Sequence, residues 1–147
     1  MSRQLSLFKG RRQLGVEPPA PLEFETQCWL VDIARRWMMP GWRVAHWPAG
    51  EQREHIIRDG RRISPSGSRL SRAGAVPGYP DLVFTGPNRG IAWLELKRKG
   101  RGRTPAQIDV GNHLQACGFP YLVTDNVRVA ADWLKQLGIL QSKVSVQ

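Results

Sequence analysis

The sequence predicts a mixed α/β fold in which a central β-sheet is flanked by helices. Three observations predict it. Leu82–Thr85 and Ile91–Leu96 are short apolar runs rich in strand-favouring residues. Gly86-Pro87-Asn88-Arg89-Gly90 between them is a dense turn signal, so the pair reads as a β-hairpin. Segments with helical spacing stand before and after that hairpin, with capping residues and glycines at their ends.

Taken in order, residues 1–21 read as a basic tail. Arg3, Lys9, Arg11 and Arg12 supply the charge, and Pro18, Pro19 and Pro21 discourage regular structure. The segment from Pro21 to Met39 reads as a first helix, stopped by Pro40-Gly41. Its stripe is Gln27, Leu30, Ala34 and Trp37, and one step of four backward reaches Glu23. Glu25 lies about 140° from Leu30 at 100° per residue, so Glu23 falls on the sheet side and Glu25 on the side of Asp32 and Arg36. Trp42–Trp47 reads as a strand ended by Pro48-Ala49-Gly50. Residues 51–77 spread Arg53, Arg58, Arg61, Arg62, Arg69 and Arg72 among Ser, Gly and Pro, a loop or short helix suited to phosphates or to solvent.

After the hairpin, Arg98-Lys99-Gly100-Arg101-Gly102-Arg103 forms a basic, glycine-interrupted loop. Thr104 is a good N-cap, Pro105 suits the first helical position, and Gln107 completes a capping box. Ile108, Leu114 and Cys117 are the expected inner face of that helix, with Gly118 at its end. Tyr121–Thr124 reads as a short strand. Asp125 or Asn126 then caps a last helix carrying Val129, Ala130, Trp133, Leu134 and Leu137, stopped by Gly138. The chain is read as one domain over residues 22–140, with residues 141–147 as a fraying tail.

The hairpin carries the chemistry. Asp81 and Glu95 are equally far from Asn88, the middle of the turn, so a symmetric hairpin sets the two acids opposite each other. Lys97, two residues beyond Glu95, shares that face. Two carboxylates and an amine then converge within roughly 5–8 Å. Close carboxylates repel unless a cation lies between them, and hard oxygens suit Mg²⁺ or Mn²⁺. Such an ion polarises a phosphate and acidifies a water, while the lysine positions or deprotonates that water or meets developing charge. Taken alone, Pro-Asp is common and Glu-x-Lys often lies on a solvated face; on paired strands in a basic chain they gain meaning together. The 22 Lys plus Arg against 12 Asp plus Glu leave a net charge of +10, which points to a polyanionic partner, nucleic acid.

Pro80-Asp81 followed by Glu95-Leu96-Lys97 resembles the PD-(D/E)XK nuclease signature. Gly78-Tyr79-Pro80-Asp81-Leu82, Leu94-Glu95-Leu96-Lys97 and Thr104-Pro105-Ala106-Gln107 resemble more narrowly its VRR-NUC branch, over residues 22–138. The resemblance implies a restriction-endonuclease-like core and a metal-dependent DNA endonuclease of the small phage, prophage or bacterial stand-alone kind. It implies Asp81, Glu95 and the Leu96 carbonyl as ligands of Mg²⁺ or Mn²⁺, with Lys97 activating water. It implies an acid on the first helix, Glu23 with Glu25 as the alternative, and a Gln at 107 bordering the site. Arg69-Leu70 resembles the pair that precedes the Gly-x-Pro-Asp in relatives. Arg98, Lys99, Arg101 and Arg103 are the expected DNA-backbone contacts. A branched or flapped DNA, such as a Holliday junction, is the implied substrate in repair, recombination or replication, and symmetric cutting of a four-way junction needs a homodimer. The alternatives are a non-catalytic DNA-binding or clamp-associated factor and a restriction-type duplex endonuclease.

Gln4-Leu5-Ser6-Leu7-Phe8 resembles the bacterial sliding-clamp-binding motif, in which Leu7 and Phe8 would fill an apolar pocket and Gln4 would bond at its rim, with Leu5 between them. Cys28 and Cys117 have no ligand spacing and fall in predicted helices, so buried reduced thiols are expected. His46, His55 and His113 are isolated and read as ordinary residues. No secretory signal or membrane span is visible, so the expected location is the cytoplasm of a bacterial host.

Overall fold

The computed structural model describes residues 23–47, 56–63 and 65–146. Helix α1 (Glu23–Trp37) leads into strand β1 (Arg43–His46). A small ribbon of β2 (Ile56–Arg58) and β3 (Arg61–Ile63) and a helix α2 (Pro65–Arg72) precede the central hairpin of β4 (Leu82–Gly86) and β5 (Gly90–Leu96). Helix α3 (Pro105–Ala116), strand β6 (Tyr121–Thr124) and helix α4 (Val127–Gln136) complete the order. The main sheet runs β1-β4-β5-β6, antiparallel until its last pair, where β5 and β6 are parallel. The fold class is therefore the expected one, a mixed four-stranded sheet between helices.

The hairpin has the register that its numbering predicts, with Leu82 opposite Leu94 and Gly86 opposite Gly90. Asn88 and Arg89 make the turn with φ of 57° and 62°. Such paired positive values match the right-handed twist of the flanking strands. Period-two alternation then divides the hairpin into two faces. Leu82, Phe84, Ala92, Leu94 and Leu96 point to one side and are buried with Leu30 and Ala34 of α1 and Ala130, Ala131 and Leu134 of α4. The other face carries Val83, Trp93 and Glu95, and α3 lies over the β6 end of that side. Gly111 of α3 makes this approach possible: a Cβ there would stand 2.6 Å from the Tyr121 ring.

Residues 56–63 and 65–77 contain more regular structure than their composition suggests. The ribbon pairs Arg58 with Arg61 across an Asp59-Gly60 turn whose φ values are both positive, and α2 follows. Other expectations are corrected by burial. Cys28 and Cys117 are free but exposed. Ile108 is exposed as well, and the inner face of α3 is Val110, Gly111 and Leu114. A helix packed on a sheet buries one stripe, here Val110, Gly111 and Leu114, and Ile108 lies off it. In α4 Val129 and Leu137 are exposed while Val127 and Ala131 are buried beside Ala130 and Leu134.

Residues 141–146, expected to fray, return to the core. Val144 is buried, its carbonyl accepts from Lys135 Nζ at 3.0 Å, and Gln141 N–H donates to the Trp37 carbonyl. Lys143 lies over the Trp37 ring, a cation–π contact that closes this edge. No helix among the described residues is long and apolar enough to cross a membrane.

Candidate active site

Asp81 stands immediately before β4, and the loop that delivers it is fixed from below by α3. Gly78 has φ +95°, and a Cβ there would meet the Ala106 carbonyl oxygen at 2.4 Å. Only glycine suits both the backbone conformation and the close approach. Continuing the β4–β5 register one step past Leu82 and Leu94 sets Asp81 across from Glu95. The carboxylate of Asp81 is tied to the neighbouring strand, since Leu96 N–H donates to Oδ2 at 3.1 Å.

Among the described residues Glu95 is the buried acid, with 1% of its surface exposed. A buried carboxylate needs partners, and Glu95 has two on a single oxygen. Lys97 Nζ lies 2.5 Å from Oε1, and Gln107 Nε2 donates to the same atom. Gln107 is also the third residue of α3, and its Oε1 accepts from Thr104 N–H at 2.9 Å while Thr104 Oγ1 accepts from Gln107 N–H at 3.3 Å. The side-chain amide therefore serves both readings of the sequence, with its oxygen closing the capping box and its nitrogen holding the acid.

Burial raises the pKa of both acids. Glu95 is pushed up to about 7, first by desolvation and then by the charge of Asp81, with Lys97 opposing. Asp81 is raised by desolvation, against the lowering effect of the Leu96 N–H; Glu23 adds to the rise, and Lys97 and His46 oppose it. Glu23 is thus a first-helix acid within electrostatic reach of Asp81, on the sheet side that the helical spacing predicts. Its Oε2 accepts from Arg98 N–H at 3.2 Å, which joins the start of α1 to the end of β5. Glu25, two residues further along α1, is exposed.

Arg98, Lys99, Arg101 and Arg103 are exposed on the turn between β5 and α3, which Arg101 N–H closes on the Arg98 carbonyl at 2.9 Å. Arg103 bends back to the site and hydrogen-bonds Tyr121, whose own pKa is raised chiefly by burial. Sequence reasoning missed Tyr121 because its pairing opposite Trp93 depends on a parallel register that local pattern does not encode. The small residue Gly111, over the Tyr121 ring, is the one local hint.

His46 was also read as ordinary. Its Nδ1 stands 2.9 Å from the Asp81 carbonyl oxygen and 3.0 Å from Gln27 Nε2. One ring nitrogen cannot both donate to the carbonyl and accept from the amide, so its tautomer selects between them. The pairing of β1 with β4 places it there, and no short-range signal announces that pairing. His113 approaches Cys117 at 3.7 Å, remote in the chain from the acids.

Among the described residues no group of three or more His, Cys, Asp and Glu is arranged to hold a metal ion. The donor chemistry is that of two facing carboxylates, and the charge of Asp81 helps to raise Glu95. A hard divalent cation relieves that repulsion, and two acids leave room in its coordination shell for water and phosphate oxygens. The residues therefore fit Mg²⁺ or Mn²⁺ as a partial, substrate-completed site. Residues 4–8, with the segment Gln4, Leu5, Leu7 and Phe8, lie outside the described residues.

The hairpin with its facing acids, the parallel strand beyond it and the helices on either side define a restriction-endonuclease-like α/β domain. A solved structure named VRR_NUC domain protein is similar to this chain with a TM-score of 0.57, over 87% of this chain and 99% of that one. The two sequences are 23% identical, so the likeness is one of fold. No family profile and no curated protein sequence matches the chain.

Proposed function

We propose that the protein is a metal-dependent nuclease that hydrolyses phosphodiester bonds in DNA at the Asp81–Glu95–Lys97 cluster. The observation that supports it best is the buried Glu95, held opposite Asp81 with Lys97 on the same oxygen. A carboxylate so desolvated is unfavourable for folding alone and suits a site that binds cations. Asp81, Glu95 and the Leu96 carbonyl would hold Mg²⁺ or Mn²⁺, and Glu23 would add a ligand directly or through water. When bound, the ion supplies Lewis acidity toward a phosphate oxygen and a more acidic water.

The chain's own groups do the rest. Lys97 orients the attacking water and sets positive charge where the phosphate gains negative charge. The water oxygen bonds to phosphorus and releases one proton to solvent, the bond from phosphorus to the leaving oxygen breaks, and a proton from solvent reaches that oxygen. Gln107 keeps Glu95 in one rotamer, which preserves the geometry between turnovers. Arg98, Lys99, Arg101 and Arg103 hold the DNA backbone. A branched or flapped DNA such as a Holliday junction is the proposed substrate, and a homodimer would cut a four-way junction symmetrically. The Gln4–Phe8 segment is proposed to tether the enzyme to a bacterial sliding clamp.

Labelled duplex, single-stranded, flapped and four-way DNAs incubated with Mg²⁺ or Mn²⁺ test this reading, with Asp81→Asn as the control. The expected result is metal-dependent cutting of flap or junction that the control lacks. Cutting that survives Asp81→Asn would falsify the site, and DNA binding without cutting on every substrate would favour a binding factor.

A further inference from the structure

Beside the acids lies an aromatic cluster that hydrolysis itself does not use. Trp47, Tyr79 and Trp93 pack with ring centroids 5.5 to 5.9 Å apart. Trp47 meets Trp93 edge-on at 77° and Tyr79 at a tilt of 39°. Their placement follows from the strands. The β1–β4 register, carried one step past His46 and Leu82, puts Trp47 across from Asp81, and Trp47 N–H donates to the Asp81 carbonyl at 2.7 Å. Tyr79 precedes Asp81 by two residues, and Trp93 precedes Glu95 by two on the same strand face. Rings and acids therefore share one surface, a strand spacing of about 5 Å apart across the sheet and about 7 Å along it.

Two features set this cluster apart from ordinary core. Trp47, its outer ring, is 46% exposed, so the packing beneath holds a large apolar face toward solvent. Trp93 Nε1 is buried without a hydrogen-bond partner among the described residues, whereas a buried indole N–H usually has one. The basic turn with Arg103 borders the acids through Tyr121. A ligand spanning the site would thus meet cations near the acids and an aromatic plane beside them, the chemistry of a nucleotide with its base unpaired.

We propose that Trp47, backed by Tyr79 and Trp93, is a stacking platform for an unpaired nucleobase next to the reacting phosphate. The inference rests on the nuclease reading for its neighbouring phosphate and deepens it, because the platform selects DNA with a single-stranded segment at the site. A base inside an intact duplex has both faces stacked and cannot use the ring.

The test is binding, measured on the full chain carrying Asp81→Asn so that no substrate is consumed. Fluorescence anisotropy compares a labelled oligothymidylate with a blunt duplex. Trp47→Ala is expected to weaken single-strand binding on the order of tenfold while duplex binding changes less than about twofold, and Trp47→Phe restores most of the loss. Equal losses on both DNAs, or none on either, overturn the proposal. Should Trp47→Ala lower the melting temperature sharply, an oligonucleotide containing 2-aminopurine bound to the protein with Trp47 intact decides. Quenching of its fluorescence supports stacking, and unchanged fluorescence with saturated binding overturns it. Because no cutting is read, a platform can be found on a protein that fails as a nuclease, and a cutting enzyme indifferent to Trp47 sinks this inference alone.

Discussion

The two faces of the β4–β5 hairpin are made by alternate residues of the same strands, yet they are built to opposite rules. On one face Leu82, Phe84, Leu94 and Leu96 are fully buried against α1 and α4. On the other, Glu95 is just as buried but ionisable, and its neighbours are Lys97, Gln107 and aromatic rings. The first face gains stability from apolar area removed from water. The second sequesters a carboxylate at a cost in desolvation that Lys97 and Gln107 offset. One strand can carry both because period-two alternation isolates them.

The contrast is sharpest in what mutation should do. Phe84→Ala empties the apolar face and should cost about 3–5 kcal/mol of stability, read as the loss in denaturant unfolding. A loss under about 1 kcal/mol would mean that this face is not the core. Asp81→Asn should act the other way, lowering cutting by about two to four orders of magnitude with little change in unfolding, and Lys97→Ala should lower cutting as much while also costing stability at the unpaired Glu95. Their melting curves are the check, and a collapse of the fold would erase the difference between the faces.

Glu95 gives the comparison a pH signature. Its folded pKa, about 7, lies above the ordinary value of 4.5. The native state therefore holds the proton more tightly than the unfolded chain, and this contribution to stability is complete below pH 4.5 and lost as pH rises through about 7. Glu95→Gln should gain stability relative to the parent over that interval. Mn²⁺ or Mg²⁺ should raise the parent's melting temperature above pH 7 and leave the variant unmoved. Melting scans across pH, with and without the ion, measure both. The smallest effect is expected at Gln107→Ala, which removes half of the capping box and should cost about 1 kcal/mol, with a further loss of cutting from a Glu95 no longer held in one rotamer. A variant that loses stability but keeps full activity would separate the cap from the acid.

Much of this arrangement could be read in the sequence. The symmetry of Asp81 and Glu95 about Asn88 was sufficient for the register because the turn is tight and no bulge intervenes. Helical spacing placed Glu23 on the sheet side, and the capping box of Gln107 was legible as a cap, whereas its place beside Glu95 was implied only by the family resemblance. These are local rules, and they hold where local geometry decides. His46 and Tyr121 were not found, because each reaches the site through pairing between distant segments, β1 with β4 and β5 with β6. The exposure of Ile108, Val129 and the two cysteines was missed for a related reason: an apolar residue on a short helix is buried only if a neighbour covers it. The basic runs around residues 53–62 hid a strand pair because arginine content says little about backbone pairing.

The double duty of Gln107 ties the birth of a helix to the arming of the acids. Its oxygen is engaged as soon as the first turn of α3 forms, and the same event aims its nitrogen at Glu95. A chain still short of that turn has its acids on hand but not in order. Under the proposed nuclease reading, formation of that one turn would be the step that makes the protein active.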